Sequence, residues 1–130
     1  MVMKFDSEGR LILPGEIREE LDKEKRGIIL TKIQVSAKSP AIAQLKITLG
    51  KEVQNTINLM HDMKRFCDAY SRLNFYGVDK DVTSSNDCIY VEARGSFQMY
   101  SFLSGLTGGI RERFSNYNIA IKGSWEKGDF

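Results

Sequence analysis

Two groups of residues have the types and spacing to do chemistry. Gly105-Leu106-Thr107-Gly108, followed by Gly109, Arg111 and Arg113, puts several glycines beside two guanidinium groups. If the glycines end one helix and the arginines begin another, the free amides at the new helix start can cradle a small anion. The same glycines also read as a simple break between two helical pieces. Tyr90, Glu92 and Arg94 alternate along one segment, and with Lys46 and Lys122 they make an outward polar row. That row fits a ligand or RNA surface, a solvated face, or a contact with another subunit. It lacks the paired aromatics on which an RNA-recognition sheet stacks bases.

Little else in the chain is reactive by type. His61 is the single histidine and stands beside Asp62 at helical spacing, so it reads as a solvated helix residue. Cys67 and Cys88 have neither a disulfide framework nor the paired spacing that zinc requires, and both are expected to be buried thiols. The carboxylate pairs Glu19-Glu20 and Asp79 with Asp81 are close in sequence and look like solvated charge. No phosphate-binding or dinucleotide fingerprint is present. The expectation is a binding protein with no catalytic residues, no cofactor and no metal.

These residues must be held by elements that the hydrophobic pattern outlines. A chain of 130 residues with 42% hydrophobic and 28% charged side chains can bury one main core. No apolar run approaches the roughly 20 residues that span a bilayer, so no membrane and a cytoplasmic location are expected. Net charge is only +2, so any basic surface must be local.

Residues 3–21 read as strand, tight turn at Asp6 to Gly9, strand and a short helix opened by Pro14. In the next segment Ile33, Val35 and Ala37 share one face and Lys32, Gln34, Ser36 and Lys38 the other. After a turn at Lys38 to Ala41, Ala43, Leu45, Ile47 and Leu49 oppose Gln44, Lys46 and Thr48, so the pair predicts a hairpin dry on one side.

From Glu52 to Leu73, Val53, Ile57, Met60, Met63, Cys67 and Tyr70 recur at helical spacing, with Leu59, Phe66 and Leu73 widening the stripe. Asn74 to Val78 is a short strand candidate and Asp79 to Asp87 is polar enough for an exposed loop. Cys88 to Arg94 alternates as a strand. A helix is expected from Ser96, as N-cap, through Phe114, interrupted at the glycines. Asn118 to Ser124 is the last strand, and Trp125 is placed over the end of the core. From Ala41 the order is strand, helix, strand, strand, helix, strand, the ferredoxin-like split βαβ arrangement.

The opening string Lys4-x-Asp6-Ser7-x-Gly9-Arg10-x-x-Leu13-Pro14-x-x-Ile17-Arg18-x-x-Leu21 resembles the AbrB-type (SpoVT/AbrB-like) swapped-hairpin family of transcription regulators and antitoxins. The resemblance implies that two chains interlock their hairpins into a homodimer and that Lys4, Arg10 and Arg18 contact double-stranded DNA. Residues 1–26 carry six basic side chains against seven acidic ones, so phosphate binding requires the basic groups to gather on one face. The order around Gly105 to Gly108 also resembles the KH core, in which a GxxG loop meets a nucleic-acid backbone; here Leu106 and Thr107 stand where that loop is commonly basic.

The reading is therefore an α+β chain: an N-terminal hairpin-helix module over 1–26, then a ferredoxin-like domain over 27–130, with a KH-like domain as alternative. Residues 28–49 fit either unit. The leading function is a DNA-binding transcriptional regulator acting as a homodimer, with the larger domain dimerising or sensing a small-molecule effector. The alternatives are a small-molecule-binding or assembly protein whose hairpin is only structural, and an RNA-binding protein using the glycine loop.

Overall fold

Alternation of apolar and polar side chains makes a sheet with one dry face, and Ala41 to Leu49 is the clearest case. In the computed structural model, which describes residues 4–5, 11–12, 27–73, 75, 77–85 and 87–125, Ala41, Ala43, Leu45 and Ile47 are fully buried while the residues between them are half-exposed. This strand is the centre of an α+β fold. The element order is β1 (Lys4–Phe5), β2 (Leu11–Ile12), β3 (Ile28–Ser36), β4 (Ala41–Leu49), α1 (Thr56–Ser71), β5 (Val78–Ser84), β6 (Cys88–Gly95), α2 (Gln98–Arg113) and β7 (Ile119–Gly123). The turn expected at Asp6 to Gly9, the short helix expected after Pro14 and the tail beyond Trp125 lie outside the described residues.

β1 and β2 pair antiparallel as a separate two-stranded sheet, with Lys4 opposite Ile12 and Phe5 opposite Leu11. The other strands form a five-stranded mixed sheet in the order β5-β6-β4-β3-β7. Residues 28–49 therefore belong to the large sheet. β4 and β5 flank β6, and this is the split βαβ unit, with α1 as its crossover. β3 is inserted between β4 and β7, pairing antiparallel with the first and parallel with the second. The α2 crossover consequently passes over two intervening strands.

The two described helices pack on one side of the sheet, α1 over β5 and β6, α2 over β4, β5 and β6. Leu59, Met63 and Cys67 form the buried line of α1, with Met60, Phe66 and Tyr70 partly buried beside it. Ile57 and Leu73, expected on this stripe, are exposed instead, Ile57 to 81%. Ile57 precedes Leu59 by two positions, which in a 3.6-residue helix is more than half a turn away from the buried line. No helix among the described residues is long and apolar enough to cross a membrane.

Three local expectations are corrected. In β3 it is Ile28 and Leu30 that enter the core, while Ile33 lies opposite Gln44 on the outer face and Val35 is 53% exposed. Lys32 and Gln34 take the core side because Leu30 is in register with Ile47 and the side-chain period is two. Both are accommodated at the margin of the core: the Lys32 ammonium lies 4.8 Å from the Trp125 ring centre, and the Gln34 amide donates to the carbonyls of Ser36 and Ile42. Trp125 packs against the core as expected, its indole N–H donating to the Gln44 carbonyl at 2.9 Å.

The segment from Asp79, expected as a loop, is strand β5 through Ser84. Val78 and Val82 face the helices, and between them the Lys80 ammonium lies 5.6 Å and 5.3 Å from the ring centres of Phe75 and Phe102 and donates to the Leu73 carbonyl.

The third correction concerns the glycines. Gly105, Gly108 and Gly109 lie within one unbroken helix, α2, so the loop on which the KH alternative depends is not formed. Thr107 is buried and donates to the Leu103 carbonyl one turn back at 2.8 Å. Two of the glycines have a packing cause. A Cβ at Gly109 would stand 2.9 Å from the Phe66 ring, and a Cβ at Gly105 would collide with the Tyr70 hydroxyl. Their absent side chains are what let the aromatic face of α1 lie against α2. Helix α2 begins at Gln98, with Phe97 rather than Ser96 at its N-cap and no side-chain capping bond.

Gly108 meets nothing within 4 Å of a Cβ, so the same substitution has opposite effects along one helix. Gly108→Ala is expected to stabilise by about 1 kcal/mol through helix propensity. Gly105→Ala should lose about 1–3 kcal/mol through overpacking. Urea unfolding midpoints of the two variants check this, and equal shifts of the same sign would contradict the packing argument.

Candidate functional site

Two parts of the molecule can be read as sites: the outer face of the large sheet and the N-terminal strand pair. On the outer face, strand pairing sets the neighbours. Asp79 lies opposite Arg94, Asp81 opposite Glu92, and Thr83 opposite Tyr90; across β6 and β4, Glu92 lies opposite Gln44 and Tyr90 opposite Lys46. Thr31 of β3 and Lys122 of β7 continue the Lys46 row. The outward row expected from the sequence is thus assembled on one face, and two acids from β5 join it. Asp79 and Asp81 were missed as members because the polar β5 segment has the composition of a loop.

Charges on this face are largely satisfied by one another. Arg94 Nη2 is 3.0 Å from Asp81 Oδ2 and Arg94 Nη1 is 3.4 Å from Glu92 Oε2. The Gln44 amide donates to Glu92 Oε1 at 3.0 Å, and the Lys46 ammonium lies 5.7 Å from the Tyr90 ring centre. Two carboxylates placed directly across a strand pair repel, and Arg94 bridges them. A phosphate backbone approaching here would have to displace that arginine from two acids. The β5–β6 half of the face is acidic, and this is the wrong sign for nucleic acid.

Arg111 and Arg113 are exposed in the last turn of α2. They complement the negative end of the helix dipole, whereas an anion site needs the free amides of a helix start. His61 is exposed on α1. Among the described residues, no group of three or more His, Cys, Asp or Glu side chains could hold a metal ion.

The cysteines differ from each other. Cys67 is fully buried, and burial, with Asp68 adding to it, pushes its thiol up to about 12. Cys88 is half-buried, its sulfur 3.3 Å from the Ser85 hydroxyl. Lys4 is placed in β1 by its pairing with Ile12. Arg10 and Arg18 lie outside the described residues. Comparison with known proteins finds no matching family model, no matching curated protein and no matching solved structure.

The raised Cys67 thiol has a worked sign. The unfolded thiol ionises near its ordinary value and the folded one only near about 12. Its contribution is intact below the unfolded pKa and is lost as pH rises from that value toward the folded one, by about 1.4 kcal/mol per unit at most. Cys67→Ala should flatten that part of the alkaline stability profile. At pH 8 a thiol reagent is expected to titrate Cys88 alone in the native protein and both cysteines in denaturant; rapid native modification of Cys67 would contradict its burial.

Proposed function

We propose that the chain is a DNA-binding transcriptional regulator that acts as a homodimer in the cytoplasm. The observation that carries the proposal is a coincidence in place. The string from Lys4 to Leu21 that resembles the AbrB-type family spans a strand pair that, among the described residues, stands apart from the large sheet. Pairing of Phe5 with Leu11 makes 6–10 the connection between antiparallel strands, as a turn bearing Gly9 and Arg10 requires.

In this reading two chains interlock their hairpins into one unit. Arg10 and Arg18 from both copies then form a positive platform, with Lys4 on the adjoining strand. Arginine suits the task because its planar fork can hold a phosphate or read a guanine edge with two parallel hydrogen bonds. The acids of residues 1–26 must then point away from the duplex. The larger domain supports the dimer and is where a small-molecule effector would act. The chain binds and does not catalyse.

The reading predicts a mobility shift on duplex DNA whose affinity falls steeply with salt. Arg10→Ala combined with Arg18→Ala should abolish the shift, each lost contact costing about 1–3 kcal/mol. Arg94→Ala, which removes the bridge between Asp81 and Glu92, should leave the affinity unchanged and lower stability by no more than about 1 kcal/mol. Binding that survives loss of both N-terminal arginines, or no shift even at low salt, would remove the regulator reading in favour of an assembly protein with a structural hairpin.

A further inference from the structure

The two edges of the large sheet are built differently. β5 is one edge, and its sequence Val78-Asp79-Lys80-Asp81-Val82 sets charges along it, Asp79 and Asp81 being exposed. Charge on an edge strand is a common device against pairing with another chain. β7 (Ile119–Gly123) is the other edge; it has no proline, Ile119-Ala120-Ile121 is uncharged, and its single charge is Lys122 near the strand end.

The ladder orients the backbone of β7. Ile28 N–H donates to the Asn118 carbonyl at 2.7 Å, and Ile28 is in parallel register with Ile119. Because successive residues of a strand turn their main-chain groups to opposite sides, Asn118 and Ala120 face β3. The N–H and C=O of Ile119 and Ile121 face away from it. Among the described residues no strand pairs with that side. On the helix side of the sheet Ile121 is 39% exposed, an apolar side chain at an open edge.

We infer that a second copy of this chain adds along β7, antiparallel, about a two-fold axis at Ala120. In this register Ile119 of each copy faces Ile121 of the other, and these residues exchange main-chain hydrogen bonds. Their side chains cover one another on the helix side. The two Ala120 side chains meet on the outer face, where only a small residue fits close to its own copy. Lys122 falls opposite Asn118, so the register does not bring like charges together.

A second copy is favoured over another partner by where the chain enters the sheet, a step that rests on the homodimer proposed above. The N-terminal segment leads into β3, the strand next to β7, and Ile28 stands beside Ile119. Once two hairpin-helix modules are joined, each large domain is connected to them through residues 22–27, a tether whose sequence length allows at most about 25 Å. Domains held this way meet at effective concentrations in the millimolar range. A short strand contact too weak to join free monomers can form under that condition, and the β7 edge is the one beside the tether.

The test uses the full chain. In a Cys88→Ser background, Ala120→Cys places two thiols at a non-hydrogen-bonded pair, where Cα atoms stand about 4.5 Å apart and within disulfide reach. Oxidation should give a covalent dimer that reductant reverses, while Ser84→Cys on the opposite edge should give none. In the unmodified protein, hydrogen exchange should find the Ile121 amide protected along with that of Ala120. An unprotected Ile121 beside a protected Ala120, or no crosslink in a protein that light scattering shows to be a dimer, overturns the edge pairing and leaves the DNA reading standing. A crosslinked dimer that fails to shift DNA supports the pairing and removes the DNA reading. Protection of Ile121 in a monomer means that the chain covers its own edge, which overturns the pairing.

Discussion

One contact sets the geometry of the large domain: the aromatic side of α1 lies directly on the glycines of α2. Phe66 and Tyr70 fill the space that side chains at Gly109 and Gly105 would need. Phe66 also meets Phe114 edge-on, and Tyr70 reaches Phe102, which in turn meets Phe75. With the helices this close, two of them are enough to keep water from the buried side chains of β4 and β6. The area removed from water, at about 25 cal/mol per Å², is the main favourable term in such a core. The glycines cost helix propensity, and the closer packing they allow offsets that cost.

Among the described residues no helix covers the opposite face of the sheet, which is arranged by charge. Arg94 lies between Asp81 and Glu92, and Gln44 adds a donor to Glu92, so like charges brought together by strand register are bridged. Such a face can remain in water or meet a polar surface. It does not present the unbalanced positive field that nucleic acid requires. The DNA contacts proposed above accordingly lie in the N-terminal segment and not on this face.

Much of this was legible in the residues. The period-two pattern of Ala41 to Leu49 and of Cys88 to Arg94, and the helical stripe through Met63 and Cys67, are strong because burial on one face leaves little freedom in choosing residues. The α+β class and the outward row of Tyr90, Glu92 and Arg94 follow from them. What misled has physical causes. In β3 the apolar phase changes after Leu30, so Ile33 and Val35 look like core from local pattern although register with β4 turns them outward. Edge strand β5 needs only two valines facing the helices, and its charges look like a loop. Glycines that break an isolated helix can sit inside a packed one, where the tertiary contact with Phe66 and Tyr70 supplies what propensity takes away.

The most direct test of the central claim is to map amide chemical shifts of the isotope-labelled full chain during titration with duplex DNA. Salt-sensitive changes are expected only in the segment from Lys4 to Leu21, with Gly105 to Arg113 and the Tyr90-Glu92-Arg94 row unmoved. Changes centred on α2 or on the outer sheet face, or no change at low salt, would contradict the claim.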